Sequence, residues 1–318
     1  MKILVTGSSG HLARVLLPRL CAHPEVGFVT GVDHQPGSFQ HPRYAAHRLD
    51  IRAPELDALV AGCDALIHLA FVVMPGDLGR RRRDRDWIRD INLNGSRRVF
   101  EAAARHRLQR VVHLSSAAVY GAWPDNPPRI PEHHPLRPNP GFQYGEDKAE
   151  LECWLDGFSA RHPATAVVRL RAHAILGPNA HPLLRLLIRQ PCFPSLPDPQ
   201  PLTQCVREED VADAVVAALL RDVQGPFNLA AEPALPFRDL VRHGRRFTVP
   251  LPLGLLDWVQ RGLWPLTGIA GPPGWVAGLR HSLALDCGRA RTLLGWEPHF
   301  SVYDCLRRSP GVPERLQP

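Results

Sequence analysis

The chain has 318 residues, enough for one large or two modest domains, and 44% of them are hydrophobic. No stretch of about 18 uncharged apolar residues occurs, so the sequence predicts no membrane-spanning helix, and no apolar signal-peptide core precedes the first strand-like segment. The net charge of +7 could attract phosphates, but a solubilising surface charge is the simpler interpretation.

Cysteine and histidine usage points away from disulfides and metal. The seven cysteines are scattered, odd in number and without a Cys-x-x-Cys pair, which favours reduced thiols in a cytoplasmic protein. The sixteen histidines show no metal-ligand spacing, so we expect no metal. The basic cluster at 80–86 lacks interleaved aromatic residues and has an acidic tail, so a solvated helix start or loop is favoured over nucleic-acid binding.

Short apolar runs alternate with helical patterns along the first half of the chain. The patterns predict strands at 2–6, 28–32, 65–69, 111–114 and 166–170, and helices at 12–20, 91–104 and 144–160. The strands are continuous apolar runs, typical of a parallel sheet covered by helices on both faces. The sequence therefore predicts an α/β fold with a Rossmann-type doubly wound parallel sheet.

Proline becomes frequent after residue 177, and the second half is less regular, with helices predicted at 210–220 and 286–294. We expect residues 177–318 to form mainly a smaller C-terminal substrate-binding lobe, with a segment at about 202–231 returning to the sheet. The apolar stretch 249–279 contains three tryptophans but is broken by five prolines, so a substrate cap is favoured over membrane contact.

A glycine-rich turn, Thr-Gly-Ser-Ser-Gly-His-Leu-Ala at 6–13, joins the first strand to the first helix. Gly7 permits the tight turn, Gly10 lets the backbone approach a pyrophosphate, and Ala13 allows close helix–strand packing. The helix N-terminus then supplies amides and a favourable dipole for the anion. We expect the turn to contact a dinucleotide through Gly7, Ser9, Gly10, His11 and Leu12, within an NAD(P)-binding domain at residues 1–176.

An acid at the end of the second strand sets the expected cofactor preference. Asp33 would accept hydrogen bonds from the adenosine ribose hydroxyls and repel a 2′-phosphate, which favours NAD over NADP. His34 and Arg43 nearby keep NADP open as an alternative. Asp50 and Ile51 could border the adenine, or could equally form a turn.

Tyr144 and Lys148 stand one helical turn apart, and the choice of lysine is unusual in this chain. Only Lys2 and Lys148 are lysines among 38 basic residues. A lysine ammonium is a compact point charge that the planar arginine fork does not replace. With Ser116 at the end of an earlier strand, the pair supplies a hydroxyl, a phenol and an ammonium. An ammonium beside a phenol favours the phenolate, so Tyr144 could exchange a proton with a substrate hydroxyl.

With these residues the chain resembles the extended short-chain dehydrogenase/reductase family, the NAD-dependent epimerase/dehydratase family. The shared marks are the glycine turn, His68-Leu69-Ala70, Asn92-x-x-Gly95, Ser115-Ser116, Val119-Tyr120-Gly121, Tyr144-x-x-x-Lys148, Arg171 before Gly177-Pro178, Asp210-Val211-Ala212 and Leu294-Gly295-Trp296. The resemblance covers nearly the whole chain.

The resemblance implies a role for several residues. It makes Ser116 the catalytic hydroxyl, Tyr144 the proton donor or acceptor, and Lys148 the residue that orients the nicotinamide ribose and lowers the tyrosine pKa. Leu69, Ala70 and Asn92, together with Tyr144 and Lys148, would lie beside the cofactor. The candidate substrate contacts are Ala117, Arg171, His173 and Arg207.

The chain departs from the pattern of nucleotide-sugar enzymes in this family. Ala174 replaces a frequent asparagine, Thr203 replaces a frequent arginine, and 276–279 lacks the usual Arg-x-Gly-Asp. The usual diphosphate-binding set is thus mostly missing, although Arg171, Arg207 or Arg280 could substitute for it. Leucines and tryptophans in the second half favour an apolar substrate pocket instead.

We therefore expect an NAD-dependent oxidoreductase that acts on a secondary alcohol or ketone of a small, partly apolar, non-nucleotide substrate. One alternative is a nucleotide-sugar epimerase or dehydratase that retains NAD. Another is a non-catalytic dinucleotide-binding sensor, although such proteins commonly lose the tyrosine or the lysine. By resemblance we also expect a homodimer through helices at about 92–106 and 144–160.

Overall fold

The computed structural model describes residues 1–73, 82–180, 192–194, 200–243, 247–249 and 278–307, with 254–255, 258, 262 and 274. Its strands are β1 (Lys2–Thr6), β2 (Phe28–Asp33), β3 (Tyr44–Arg48), β4 (Ala65–His68), β5 (Arg110–Ser116), β6 (Ala166–Ala172), β7 (Ile175–Leu176), β8 (Cys192–Pro194), β9 (Leu202–Thr203), β10 (Val206–Arg207), β11 (Gly225–Leu229), β12 (Leu235–Pro236) and β13 (Phe247–Val249).

The helices flank these strands. They are α1 (Ala13–Ala22), α2 (Leu56–Val60), α3 (Arg82–Arg89), α4 (Ser96–Arg105), α5 (Gln143–Arg161), α6 (Glu208–Leu220), α7 (Phe237–His243) and α8 (Val302–Arg307). Two π-helical segments, Asp90–Gly95 and Ala290–Leu294, and a 3₁₀ turn at Ala117–Val119 complete the description.

Seven strands form one parallel sheet in the order β3-β2-β1-β4-β5-β6-β11. Successive side chains of a strand point to opposite faces of the sheet. A strand whose consecutive side chains are all buried therefore shows that both faces of the sheet are covered. In β1, Ile3 and Val5 join one apolar layer while Leu4 joins the other, and all three are fully buried. This explains why the strands are continuous apolar runs, and it shows the predicted Rossmann-like α/β fold.

The sheet order places a crevice where the candidate site lies. The chain passes outward from β1 to β2 and β3 on one side, and from β4 to β11 on the other, so the winding direction switches between β1 and β4. In such sheets ligands bind beyond the carboxyl ends of the strands at the switch point. Thr6, Asp33, His68, Ser116 and Ala172 end β1, β2, β4, β5 and β6.

The strands and helices predicted in the first half are present, with several additions and one change. Strand β3 and the short helix α2 were not predicted. The helix predicted at 91–104 begins as the π-helical segment Asp90–Gly95 and becomes α-helical only from Ser96. The basic cluster enters helix α3 at Arg82, whereas residues 80 and 81 lie outside the described residues.

In the second half, β11 pairs with β6 and so extends the central sheet. Helix α6 covers the same sheet, and three acidic residues in its first turn complement the helix dipole. The helix predicted at 286–294 is a π-helical segment that ends where Gly295 adopts the left-handed conformation, at φ +55°.

Most of the apolar stretch 249–279 and of the proline-rich loop 190–201 lies outside the described residues. Among the residues that the structure does describe there, Trp258 is 74% exposed. Within the described part of the chain, no helix has both the length and the apolar character that crossing a membrane requires.

Candidate active site

The glycine turn after β1 has the geometry that a close backbone approach requires. Gly7 has φ +73°, and a Cβ on it would stand 2.6 Å from the backbone nitrogen of Ala70. Gly10 is nearly as restricted, because its Cβ would lie 3.0 Å from the Gly7 carbonyl oxygen. Helix α1 begins directly after this turn with no side-chain cap on its first amides and no acid in its first turn. These features fit the pyrophosphate of a dinucleotide.

The other predicted residues of the turn differ in what they offer. The Ser9 amide donates to Asp33 Oδ2 at 3.0 Å, and the Ser9 hydroxyl donates to the Gln35 carbonyl at 2.9 Å. The Leu12 side chain is buried in the core, so only its backbone is available at the helix start. His11 is half-buried and has a partner of its own.

Asp33 ends β2 directly beside the glycine turn. Its two oxygens accept from the backbone amides of Ser9 and Gln35, which fixes the carboxylate at the edge where the ribose of a dinucleotide would lie. Arg43, which kept NADP open, instead donates Nη1 to the Val26 carbonyl at 2.9 Å. The position of Asp33 therefore fits a preference for NAD.

Asp50 and Ile51 have separate environments although they are neighbours. Asp50 pairs with Arg52, with Oδ2 and Nη2 at 2.6 Å, and this arginine holds the pKa of the carboxyl below its ordinary value. Arg52 also pairs with Asp90 at 2.8 Å. The side chain of Ile51 is buried and packs against Gly95, where a Cβ would come within 2.8 Å of it. Only Ile51 has the apolar character that an adenine ring would contact.

The end of β4 is built around a buried histidine. His68 Nδ1 lies 2.7 Å from the Thr6 hydroxyl, and its Nε2 lies 2.8 Å from the Ser96 hydroxyl. Burial lowers the pKa of His68 to about 3, so the ring is neutral and structural. The Leu69 amide donates to the Thr6 carbonyl, so the chain from Leu69 to Ala70 passes close to the glycine turn.

Asn92 occupies the π-helical segment and joins three parts of the site. Its Oδ1 accepts from the Val72 amide at 2.8 Å, and its Nδ2 donates to the Val72 carbonyl and to Asp147 Oδ2. Asn92 is fully buried. It thus fixes the segment after β4 against α5, which explains an asparagine at a distorted helix.

Ser116, Tyr144 and Lys148 come together at the carboxyl end of β5. Ser116 is the last residue of the strand; its hydroxyl accepts from the Ala118 amide at 3.2 Å and lies near enough to the Tyr144 phenol to lower its pKa. The Lys148 Nζ lies 5.9 Å from the centre of the Tyr144 ring and donates to the Leu114 carbonyl at 2.6 Å. Lys148 is only 3% exposed, whereas Tyr144 is half-buried. Ser116 is half-buried as well, so the ammonium is the least accessible group of the three.

Burial controls the pKa values of both titratable groups. It raises the pKa of Tyr144, although the nearby Ser116 hydroxyl opposes this effect. It lowers the pKa of Lys148 to about 7, against the opposing charges of Glu152 and Asp147. The lowered tyrosine pKa expected from the sequence is thus not produced by these side chains. The reason is that removing the phenolate from water costs more than its neighbours return.

A buried ion pair lies behind helix α5. Glu152, one turn beyond Lys148, is fully buried and accepts from Arg171 Nη2 at 2.6 Å and from the Ser115 hydroxyl at 2.5 Å. Arg171 also donates Nη1 to the Tyr120 hydroxyl at 2.6 Å. Its guanidinium therefore has internal partners, which argues against the substrate contact suggested for Arg171.

The other three candidate substrate residues lie in different environments. Ala117 and His173 follow β5 and β6, whose last residues Ser116 and Ala172 are paired in register. His173 Nδ1 accepts from the Ala174 amide, and burial lowers the pKa of this ring to about 4. Arg207 is 5% exposed and pairs with Glu209 at 2.7 Å, so its charge is balanced inside the protein.

Two aromatic residues beside Tyr144 were missed by sequence reasoning. The Phe71 ring meets the Tyr144 ring edge to face at 5.6 Å and 88°, and the Phe142 ring lies 5.7 Å from the Tyr144 ring, tilted by 48°. Phe142 directly precedes α5, so its position was readable from the predicted helix start. Nothing local in the sequence indicated Phe71, which comes from the end of β4.

One group of possible metal ligands occurs among the described residues, namely Asp210, Asp213 and His299. The Asp210 carboxylate accepts from the backbone amides of His299 and Phe300, and Asp213 pairs with Arg19. These carboxylates already have protein partners, so the group gives no reason to assign a metal.

Comparison with known proteins places the chain in a family. The sequence model of the NAD dependent epimerase/dehydratase family matches residues 3–230. An uncharacterized protein of Mycobacterium tuberculosis (strain ATCC 25618 / H37Rv) is 25% identical over 96% of this chain and 82% of its own length. A 4-hydroxy-2-methyl-3-oxo-4-farnesyl-3,4-dihydroquinoline-1-oxide ketoreductase of Stigmatella aurantiaca is 30% identical over 59% of this chain and 54% of its own length.

Solved structures show the same fold over almost the whole chain. UDP-glucuronic acid 4-epimerase of Bacillus cereus, in complex with UDP-glucuronic acid and NAD, has a TM-score of 0.74 and 21% identity, covering 97% of this chain and 98% of that one. UDP-glucose 4-epimerase of Thermus thermophilus with NAD has a TM-score of 0.74 and 19% identity, covering 97% of each. The chain therefore belongs to the NAD dependent epimerase/dehydratase family, the family that the sequence motifs predicted.

Proposed function

We propose that this protein is an NAD-dependent oxidoreductase acting at a secondary alcohol or ketone carbon of a partly apolar, non-nucleotide substrate. The observation that carries the proposal is the surroundings of Tyr144. Its phenol lies close to the Ser116 hydroxyl, which acts to lower the pKa of the phenol, and its ring contacts the rings of Phe71 and Phe142. A proton-transferring group with aromatic side walls suits an apolar carbonyl compound.

The chain's residues divide the proposed work. Gly7, Gly10 and Asp33 would hold NAD, which supplies or accepts the hydride. The Tyr144 hydroxyl would give its proton to the carbonyl oxygen during reduction, or take it from the alcohol during oxidation. Ser116 would donate a hydrogen bond to the same oxygen. Lys148, whose Nζ lies 5.9 Å from the centre of the Tyr144 ring, would orient the nicotinamide ribose, which is the role that the family resemblance implies for it.

The charges near the site support a non-nucleotide substrate. A nucleotide sugar carries a diphosphate, which enzymes bind with free arginines or lysines. Arg171 and Arg207, which could replace the missing pattern, are internally paired with Glu152 and Glu209. Ala174, at the frequent asparagine position, packs against an apolar cluster with Leu176 and Cys205.

Turnover with added cofactor tests the proposal. Purified protein is mixed with NADH and a panel of aliphatic, aryl and polycyclic ketones, and the loss of nicotinamide absorbance is recorded. We expect net NADH oxidation with an apolar ketone and a loss of about 100-fold or more in kcat for Tyr144→Phe. The matched control is Tyr303→Phe, which removes a phenol on α8 and is expected to leave kcat unchanged.

The epimerase alternative rests on the fold shared with UDP-sugar epimerases. It predicts NAD that stays bound through purification and isomerisation of a UDP-sugar without added cofactor. Tightly bound NAD released only on denaturation, together with such isomerisation, would replace the proposed function.

We also infer a homodimer through α4 and α5. These helices are already joined within one chain by an ion pair between Arg97 and Glu150 at 3.1 Å. Light scattering at micromolar concentration is expected to give twice the mass of 35.4 kDa, and a monomer would contradict this inference.

A further inference from the structure

The Phe71 ring lies against the Lys148 ammonium. The Nζ atom is 3.7 Å from the ring centre, which is close enough for a direct cation–π contact. The same ring meets the Tyr144 ring edge to face. Phe71, a single residue that follows the end of β4, therefore contacts two residues of α5 that belong to the proposed reaction.

Few other contacts stabilise the charged form of Lys148. It is 3% exposed, and its hydrogen bond goes to the neutral Leu114 carbonyl at 2.6 Å. Taking an ammonium out of water is costly unless it is paired or hydrogen-bonded. In a desolvated position the negative face of an aromatic ring returns more of this cost than it does at an exposed surface.

The charged and titratable groups around Lys148 do not replace the ring. On its own helix, Asp147 and Glu152 favour the ammonium, but each carboxylate is already paired, with Arg89 and Arg171. From β4 and β5, the rings of His68 and His113 are neutral, because burial holds both pKa values far below the ordinary value.

We propose that Phe71 is a positioning residue, whose ring keeps Lys148 in its charged form and fixes it beneath Tyr144. The consequence for catalysis rests on the proposed function, whereas the contact itself does not. The expected effect is measurable without a substrate, because a cation–π contact contributes about 0.5 to 2 kcal/mol and therefore about 0.4 to 1.5 pKa units.

The two lysines of this chain make a direct titration possible. Protein labelled with ¹³C-lysine has two side-chain signals, Lys148 and the exposed Lys2 as internal reference. The pKa of Lys148 is read from the pH dependence of its Cε shift in the wild type, Phe71→Leu and Phe71→Tyr. Phe71→Met serves as a second ringless variant, so that the result does not depend on one protein folding. Phe142→Leu is the matched control, since it removes the other ring beside Tyr144.

We expect Phe71→Leu and Phe71→Met to lower the pKa of Lys148 by about 0.4 to 1.5 units. Phe71→Tyr and Phe142→Leu are expected to leave it within about 0.3 units, because an aromatic ring over the ammonium is retained in both. An unchanged pKa in the ringless variants would overturn the inference. A raised pKa would do so too, since it would mean that the ring only excludes water.

The outcome is separable from that of the proposed function. If the ringless variants lower the pKa but no ketone is turned over, the proposed oxidoreductase activity fails and the contact stands. If ketones are reduced but the pKa does not move, the positioning role of Phe71 fails alone.

Discussion

Replacing Lys148 by methionine should stabilise the protein, in a way that depends on pH. The side chain is buried, and its pKa falls from 10.5 to about 7 on folding. At about 1.4 kcal/mol per pKa unit, burying the ammonium lowers the free energy of unfolding by at most about 5 kcal/mol. Because water that penetrates the protein reduces this cost, we expect a value of about 2 to 5 kcal/mol. Methionine has a similar length and fills the same space without a charge.

The sign follows from the two protonation states. Below about pH 7 the lysine is charged in the folded and the unfolded protein, so the full cost is present. Between about pH 7 and 10.5 the folded protein loses the proton first, so the wild type gains stability as the pH rises. Above pH 10.5 the lysine is neutral in both states and the cost vanishes.

Urea denaturation at pH 6, 8 and 10 measures this effect, with Lys2→Met as the exposed control. The advantage of Lys148→Met over the wild type should be largest at pH 6 and smaller by about 2 to 4 kcal/mol at pH 10. The lost hydrogen bond to Leu114 is the same at every pH and does not affect this difference. A pH-independent difference between the two proteins would refute the argument that Lys148 is a buried charge retained for function.

Three further predictions concern the surroundings of the site. Glu152→Gln breaks the buried ion pair and should reduce the free energy of unfolding by about 3–5 kcal/mol, whereas Asp156→Asn, at a carboxylate that is 63% exposed, should cost less than about 1 kcal/mol. Equal losses in urea denaturation would contradict this. Gly7→Ala should abolish NAD binding in calorimetry, but Gly62→Ala should not. Both glycines have a positive φ, but of the two only Gly7 lacks space for a Cβ. Similar NAD affinities of the two variants would refute the steric argument. Asp33→Asn should weaken NAD binding about tenfold and shift the preference toward NADP; an unchanged NAD to NADP affinity ratio would remove Asp33 from cofactor recognition.

The sequence was sufficient for features that depend on local pattern. Continuous apolar runs predicted a sheet buried on both faces because each strand residue, such as Leu4 or Val5, needs an apolar neighbour on its own side. The glycine turn and the Tyr144–Lys148 spacing were readable because the backbone conformation and one helical turn determine them.

Features that depend on distant partners were not readable. Arg171 was predicted to contact the substrate, but it pairs with Glu152 inside the protein. The sequence did not indicate this pairing, because Arg171 lies on β6 and Glu152 lies on α5. Phe71 was missed for the same reason, because it follows β4 and contacts Lys148 only when α5 packs beside that segment. The pKa values of Tyr144 and Lys148 follow from burial, which is a property of the whole fold.

Hydride tracing tests the central claim most directly. NADH with deuterium at the transferable nicotinamide position is supplied with an apolar ketone, and the mass of the product alcohol is measured. The proposed oxidoreductase predicts one deuterium per product molecule, one NADH consumed per turnover, and loss of both with Tyr144→Phe. Isomerisation of a UDP-sugar without deuterium incorporation or NADH consumption, and no reaction with ketones, would contradict it.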